Sequence, residues 1–463
     1  MNCDLVITNG LLVLEDEVVR KDIGICDGKI LTIFDEDCCE MDCIQARQTL
    51  DAEGCYVMPG AIDTHTHFFE PGADYREDFA HGTRAAASGG FTCIMEMPNS
   101  NPAVVDADTF HLKKQLAAKG AAVDYAIWAG ATADNQGNLE ELKDLGCVAY
   151  KAFTLDAGPT FPYLNTEMEM EAMQKIAGLD RVFGFHAEDP IVITELAKRY
   201  CSQPWNLELH DQARPYYAEL AAINQIILFS KKTGCPVHIC HVSIPEGAEL
   251  IVKAKQDGVD ITAESCSHYF LLNMEDDAKY DTYALIQPPL RKKERMEKLW
   301  DYLFDGSIDY LGTDHAPYTA EDKEPEDGDK WKVIGGTPSI DVAFPLMFDE
   351  AVLKRGMSPV QFAKLSATNA AKRFKLYPQK GSIRVGADAD ITIVDSHFPW
   401  KIDRSKSFSK TRNEKFPYQG RLVNCKVMTT IVRGKVVFDH DTIMVKGGYG
   451  QFVRPQQLAG GSL

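Results

Sequence analysis

No apolar stretch in the 463 residues approaches the roughly 18–20 that a membrane-crossing helix needs, and the opening Met-Asn-Cys-Asp-Leu-Val-Ile-Thr has no basic segment leading into an apolar run. These absences argue against a membrane span and a secretory signal, so a soluble, cytoplasmic chain is expected. Cys-x-x-Cys is also missing. The 13 cysteines are odd in number and irregularly spaced, which argues against a disulfide framework or a zinc ribbon and leaves reduced thiols serving as small apolar residues. Positive charge is in short supply: 49 Lys and Arg face 68 Asp and Glu, a formal charge of −19. Such a field repels phosphate backbones and anionic lipid, so neither nucleic acid nor membrane is an expected partner. There is no internal repeat and no low-complexity tract; the acidic, Lys-containing run Glu321 to Lys332 reads as a solvated loop.

What is present has a clear order. The first fifty-odd residues alternate like short strands, with Asn9-Gly10 and Asp27-Gly28 where tight hairpin turns would fall. The same texture returns in Ala389-Asp-Ile-Thr-Ile-Val and Val427-Met-Thr-Thr-Ile-Val, so residues 1–55 and 381–463 are expected to share one small β-sandwich. Between them, residues 56–380 show short apolar strands each followed by a helix-like stretch: Tyr56–His67, Phe91–Met97, Asp124–Ala129, Cys147–Phe153, Val182–Ala187, Pro236–Val242, Val259–Cys266 and Ile308–Asp314. Eight such units closing on themselves make an α/β fold, the (β/α)₈ TIM barrel. An open doubly wound sheet would show a Gly-rich phosphate loop after its first strand, and none is found.

Barrel chemistry sits at the carboxyl ends of strands, and polar residues occupy those places here. His65 and His67 end the first strand and, two apart, point the same way. Lys151 lies near the end of the fourth strand, His186 ends the fifth, His241 the sixth and Asp314 the eighth. His238 and His241 have opposite parity on one strand; only one is expected to face the interior, and His241 is nearer the catalytic end, so His238 reads as structural. His268 and His315 have structural readings too, with His315 adjoining a ligand position.

Four histidines and an aspartate converging on one mouth are metal ligands by type. Lys151 fits them only in altered form, because an ammonium has no lone pair to offer. A neutral amine that adds carbon dioxide becomes a carbamate with two oxygens, one for each of two cations. Two divalent ions, less the charges of carbamate, Asp314 and a bridging hydroxide, leave about one positive charge to polarise a carbonyl. Nitrogen and oxygen donors without thiolate suit zinc, and manganese, cobalt or iron would also fit.

These residues stand in Pro59-Gly-Ala-Ile-Asp-Thr-His-Thr-His, Gly82-Thr-Arg-Ala-Ala-Ala-Ser-Gly-Gly, Tyr150-Lys-Ala-Phe, Phe185-His-Ala-Glu-Asp, Cys240-His-Val-Ser, Glu264-Ser-Cys-Ser-His-Tyr, Pro288-Pro-Leu-Arg and Gly312-Thr-Asp-His-Ala-Pro. Over nearly the whole chain this resembles the cyclic amidohydrolases: allantoinases, hydantoinases, dihydropyrimidinases and dihydroorotases. The resemblance implies two-metal hydrolysis of a ring amide on an N6-carboxylated Lys151, Asp314 as the catalytic proton carrier, a cyclic ureide or imide as substrate, and a homo-oligomer, dimer or tetramer.

Which ring is read from five wall positions: Phe69, Asn99, Gln287, Tyr318 and Gly336. Dihydroorotases anchor a carboxylate with Arg, Asn and His where this chain has Phe69, Asn99 and Tyr318, so two of three anchors are gone and a buried carboxylate would lack its guanidinium. Hydantoinases and dihydropyrimidinases carry a Tyr five residues after the bridging Lys and an Asn-Gly after strand eight; here stand Asp156 and Gly335-Gly336. Allantoinases share that missing Tyr and the Gly-Gly, together with Glu70-Pro-Gly and the Ser265 to Phe270 run, while Gln287 replaces the Ser usual in both groups. The resulting order is allantoin to allantoate first, hydantoins or dihydropyrimidines second, dihydroorotate last. A non-enzymatic scaffold relative is disfavoured because all six ligand residues are kept.

Overall fold

The structure is a computed structural model that describes residues 2–35, 45–156, 158 and 161–456. Eight parallel strands form the barrel: β1 (Ala61–Thr66), β2 (Phe91–Glu96), β3 (Asp124–Ile127), β4 (Ala149–Phe153), β5 (Val182–His186), β6 (Val237–Ile239), β7 (Ile261–Cys266) and β8 (Tyr310–Gly312). Each pairs with its successor, β3 reaching β4 through the short extension Ala129–Gly130 beyond Trp128. A parallel bridge between Thr66 and His315 closes the ring from β8 back to β1. Both faces of these strands are buried, which is why they read as apolar runs without alternation. The inward side chains pack as Ile62, Met95, Ala126, Trp128, Ala149, Cys240 and Tyr310, a filled core beneath a polar mouth.

The chain ends form the β-sandwich. One sheet holds Lys29–Phe34, Asp22–Cys26, Asn2–Thr8 and Gln45–Asp51; the other runs from Thr442–Ile443 through Lys435–Asp439, Lys426–Val432, Ile391–Asp395, Tyr56–Pro59 and Leu11–Val13 to Val18–Arg20. Leu5, Ile7, Ile23 and Ile25 of the first meet Val57, Ile391, Ile393 and Ile431 of the second, each such burial contributing about 1.5–3 kcal/mol.

The single first strand expected over Tyr56–His67 is in fact two. Tyr56–Pro59 pairs with Ile391–Asp395 and Leu11–Val13 in the sandwich, and the barrel strand starts only after Gly60, where a Cβ would lie 2.3 Å from Thr92. A continuous strand-like run carries no mark of which sheet each half enters. Asp27-Gly28 turns a hairpin between Asp22–Cys26 and Lys29–Phe34, with φ of 50° and 75°. Asn9-Gly10 does not: it passes the chain from one sheet to the other, because Asn2–Thr8 and Leu11–Val13 belong to different sheets. At the end of the barrel away from the mouth, Lys380 Nζ donates to Asp124 Oδ2 (2.7 Å), at the start of β3, and to Asp390 Oδ2 (2.6 Å), just before Ile391. This buried ion cluster fastens barrel to sandwich.

All ten described cysteines are free, seven of them buried, as expected for small core residues; Cys38, Cys39 and Cys43 lie outside the described residues. No described helix is long and apolar enough to cross a membrane.

Candidate active site

The six predicted ligands meet at the carboxyl end of the barrel. His65 Nε2 lies 3.2 Å from His67 Nε2, and Asp314 Oδ1 stands 3.4 Å from the first and 3.2 Å from the second. On the other side of the mouth His186 Nδ1 is 3.1 Å from His241 Nε2, while the rings of His65 and His241 have centroids 5.2 Å apart. Lys151 is wholly buried, and its Nζ has no hydrogen-bond partner. Two positions emerge, one at His65, His67 and Asp314, the other at His186 and His241.

Backbone bends deliver two of these side chains. β6 ends at Ile239 and β8 at Gly312, yet the ligands come two residues later, where His241 and Asp314 have φ of 39° and 45°. A left-handed residue other than Gly is held there by its surroundings. The Asp314 bend is fixed by Thr313, whose N donates to Asp63 Oδ1 (2.9 Å) and Oγ1 to Asp63 Oδ2 (2.5 Å). The His241 bend also corrects the parity reading of β6. His238 points into the barrel as well, one layer down: it stacks on Tyr310, is hydrogen-bonded at Nδ1 with Tyr310 Oη (3.0 Å) and lies 3.5 Å from Glu264. It remains a structural histidine, but strand alternation does not extend past Ile239 to His241. His315 Nδ1 accepts from the backbone N of Ser339 and Ile340 at 3.1 and 3.2 Å, a structural role. Both ring nitrogens of buried His268 lack a partner.

Protonation is set by buried neighbours. His65 Nδ1 is 2.5 Å from Glu264 Oε1, so its Nε2 presents a lone pair to the mouth. His186 Nε2 is 2.7 Å from Glu188 Oε2, and Arg214 Nε donates to Glu188 Oε1 at 3.2 Å; here Nδ1 presents the lone pair. Burial keeps His65 neutral, down to about 4, aided by Lys151 against Glu264 and Asp314. Burial lowers His186 and His241 as well. Burial works against ionisation of Asp314, but His65 and His67 outweigh it and hold the carboxyl at about 2. Neutral imidazoles and an ionised carboxylate at pH 7 are the forms that bind a cation.

The donors also fit metal by distance. Two atoms each about 2.1 Å from one tetrahedral ion stand about 3.0–3.5 Å apart, the separations found here. The unpartnered Lys151 Nζ is what a carbamate would resolve, since a lone buried ammonium is costly. His65, His67 and Asp314 form one three-residue group able to hold an ion; buried Cys240 is in reach of His65 and Glu264 in another.

Four of the five wall residues, Phe69, Tyr318, Gly336 and Gln287, are linked by contact beside His67. Phe69, itself at φ 59°, stacks on His67 with ring centroids 6.0 Å apart and meets the Tyr318 ring at 5.3 Å. The Arg76 guanidinium lies over both, 5.5 and 5.0 Å from the centroids, and is clamped by Asp322 through Nε (2.8 Å) and NH2 (2.5 Å). Gly336 packs so tightly on Ala316 and Tyr318 that a Cβ would come within 2.6 and 2.7 Å of them, and Gly335 abuts Gln287 in the same way. Asn99 follows β2, its Oδ1 buried and without a partner. Asp156 is exposed and turned to its own loop, accepting from Gly158 N at 2.9 Å. The run Glu321 to Lys332 is not simply a solvated loop: besides Asp322, Lys323 turns inward to donate to Leu285 O (3.3 Å) and Ile334 O (3.1 Å).

Glu188, Glu264, Arg214, Arg76 and Lys323 were not singled out by sequence. Glu188 and Glu264 lie inside motifs quoted above, so a signal existed; Arg214 and Arg76 lie in stretches with none, and Lys323 lies inside the run read as a solvated loop.

Comparison with known proteins agrees with this geometry. Residues 56–437 match the model of the Amidohydrolase family. The chain is 36% identical over 467 residues to an allantoinase of Salmonella choleraesuis, spanning 99% of this chain and 100% of that one. An allantoinase of Escherichia coli is likewise 36% identical, over 465 residues with the same coverage. Among solved structures, an L-hydantoinase (dihydropyrimidinase) from Arthrobacter aurescens superposes with a TM-score of 0.94 at 32% identity, covering 98% of this chain and 100% of its own. A dihydropyrimidinase from Brevibacillus agri gives 0.89 at 27%, covering 97% and 98%. With the motifs, the barrel and the full-length matches in agreement, the chain belongs to the amidohydrolase family.

Proposed function

We propose that this metal-dependent cyclic amidohydrolase opens the ring of allantoin to the open-chain carboxylate allantoate. The observation that carries the hydrolase reading is the buried, unpartnered Lys151 Nζ among imidazole lone pairs and the Asp314 carboxylate. The substrate rests on the wall: Asp156, exposed and bonded within its own loop, stands where hydantoinases carry Tyr, Gly335-Gly336 replaces their Asn-Gly, and the allantoinases match end to end.

His65, His67 and Asp314 would hold one divalent ion, His186 and His241 the other, with carboxylated Lys151 between them; zinc suits this donor set. Such ions would polarise the scissile carbonyl and bring the attacking water's pKa toward ~7. Asp314, kept ionised by His65 and His67, takes the proton of that water and returns it to the departing ring nitrogen. Phe69 and Tyr318 exclude water from one face of the ring. The buried Asn99 Oδ1 is an acceptor for a ring or ureido N–H.

Hydantoin is the second reading, favoured by the fold similarity to the L-hydantoinase and by the aromatic Phe69–Tyr318 pair. Allantoin turnover by metal-loaded protein, compared with Asp314→Asn, tests the main one. The variant should keep most of its metal and lose most turnover; near-normal turnover would remove Asp314 from the proton path.

A further inference from the structure

Resting on the two-ion reading above, we propose that Arg291 is the positioning residue for the His186 and His241 position alone, and that its loss empties that position selectively. Arg291 closes the Pro288-Pro-Leu-Arg stretch and is 3% exposed. Toward β6 it donates from Nε to Ser243 Oγ (3.1 Å) and from NH2 to Glu219 Oε2 (3.0 Å). Ser243 stands two residues past His241, and its own N donates to Glu219 Oε1 at 2.8 Å while its hydroxyl bonds Glu219 Oε2. The guanidinium and Glu219 therefore pin the segment whose left-handed bend aims His241.

Toward β5 the same guanidinium donates from NH1 to Arg214 O and to Asp211 Oδ1, both 2.8 Å. Arg214 then grips Glu188, which fixes the His186 tautomer through its Nε2. One side chain thus joins two supports: a loop after β6 and the carboxylate behind the last residue of β5. The other position is built independently. Glu264 backs His65, and Asp63 with Thr313 shapes the Asp314 bend; the hydrogen bonds of Arg291 reach none of these.

Charge makes the link specific. Arg291 and Arg214 face Glu219, Glu188 and Asp211; without Arg291, three carboxylates share one guanidinium in a buried region. Glu188 then competes for its cation with Glu219 and Asp211, and its hold on His186 weakens. Loss of a carboxylate backing typically lowers metal affinity about 10- to 100-fold.

The test is the metal content of purified protein after dialysis against metal-free buffer, read with thermal unfolding followed by circular dichroism. The variants are Arg291→Lys, the compensated pair Arg291→Met with Glu219→Gln, and Ser243→Ala, which removes a single hydroxyl and serves if the first two do not fold. Lys380→Met with Asp390→Asn, a buried ion pair at the far end of the barrel, controls for generic loss of a salt bridge. Wild type and control should carry two ions per chain. The Arg291 variants should unfold cooperatively and carry one, refilling the second position only at roughly tenfold or more higher free metal, with Ser243→Ala weakened in the same position to a smaller degree. Folded Arg291 variants that keep both ions at wild-type affinity, or lose both together, would overturn the proposal, as would Ser243→Ala indistinguishable from wild type. A wild type without metal would instead overturn the two-ion reading on which it rests.

Discussion

Replacing Glu264 with Gln keeps the shape of the side chain behind His65 and removes only its charge. Glu264 is fully buried, 2.5 Å from His65 Nδ1 at Oε1, bonded to Thr64 Oγ1 at Oε2 and 3.5 Å from His238 Nε2. Burial alone would raise its pKa; His65 and His238 more than compensate and hold the carboxylate well below the usual range. A hydrogen bond to a charged acceptor contributes about 1.5–3 kcal/mol against about 1 for a neutral one. With the His65 bond weakened by that difference, and an amide N–H₂ forced to face either His65 or Thr64, the His65 ring loses about 0.5–2 kcal/mol of orientation. That corresponds to a drop of more than twofold, up to about thirtyfold, in affinity for the ion at His65, His67 and Asp314. Competition with a chromophoric chelator measures it directly, and the ion at His186 and His241 should be unaffected. Glu264→Gln with metal affinity within twofold of wild type would refute the idea that this carboxylate sets the tautomer.

Three further outcomes are expected. Gly336→Ala sets a Cβ against Ala316 and Tyr318 at a φ of 150°; a wall displaced at about 1–3 kcal/mol should raise KM several-fold with metal content unchanged, and unaltered KM would remove Gly336 from the substrate wall. Lys323 is pushed down by burial to about 7 against the opposing pull of Asp322, below its unfolded ~10.4. Between those values the unfolded chain binds the extra proton, so this residue's share of stability should rise with pH by about 1.4 kcal/mol per unit above pH 7; urea unfolding at pH 7.5 and 9 should show the rise in wild type and lack it in Lys323→Met, and equal slopes would contradict the assignment. Gly60→Ala forces a methyl against Thr92 where sandwich becomes barrel and should lower the unfolding midpoint through a stability loss of about 1–3 kcal/mol, while leaving kcat intact.

Much of this site was readable in the sequence because barrel geometry converts strand ends into one place: His65, His67, Lys151, His186, His241 and Asp314 converge wherever eight strands close. What was not readable depends on contacts between distant segments. Arg214 reaches Glu188 across 26 positions and Arg291 reaches Ser243 across 48; neither spacing leaves a local pattern. The parity argument for β6 failed because alternation holds only within the strand, and the strand stops at Ile239. The division of Tyr56–His67 was hidden for another reason: both halves are strand-like and largely buried, and neither shows which sheet it joins. Lys323 shows the limit of charge patterning: within an acidic surface run, one lysine folds inward onto backbone carbonyls.

The central claim, that these residues open a cyclic ureide, is tested most directly by ring-opening rates of metal-loaded protein on allantoin, hydantoin, a 5-aryl hydantoin, dihydrouracil and dihydroorotate under one condition. The account predicts allantoin fastest, hydantoins next and dihydroorotate last, because Phe69 and Tyr318 stand where a carboxylate would need a guanidinium and an imidazole. Clear preference for dihydroorotate, or no ring opened by protein carrying two ions per chain, would contradict it.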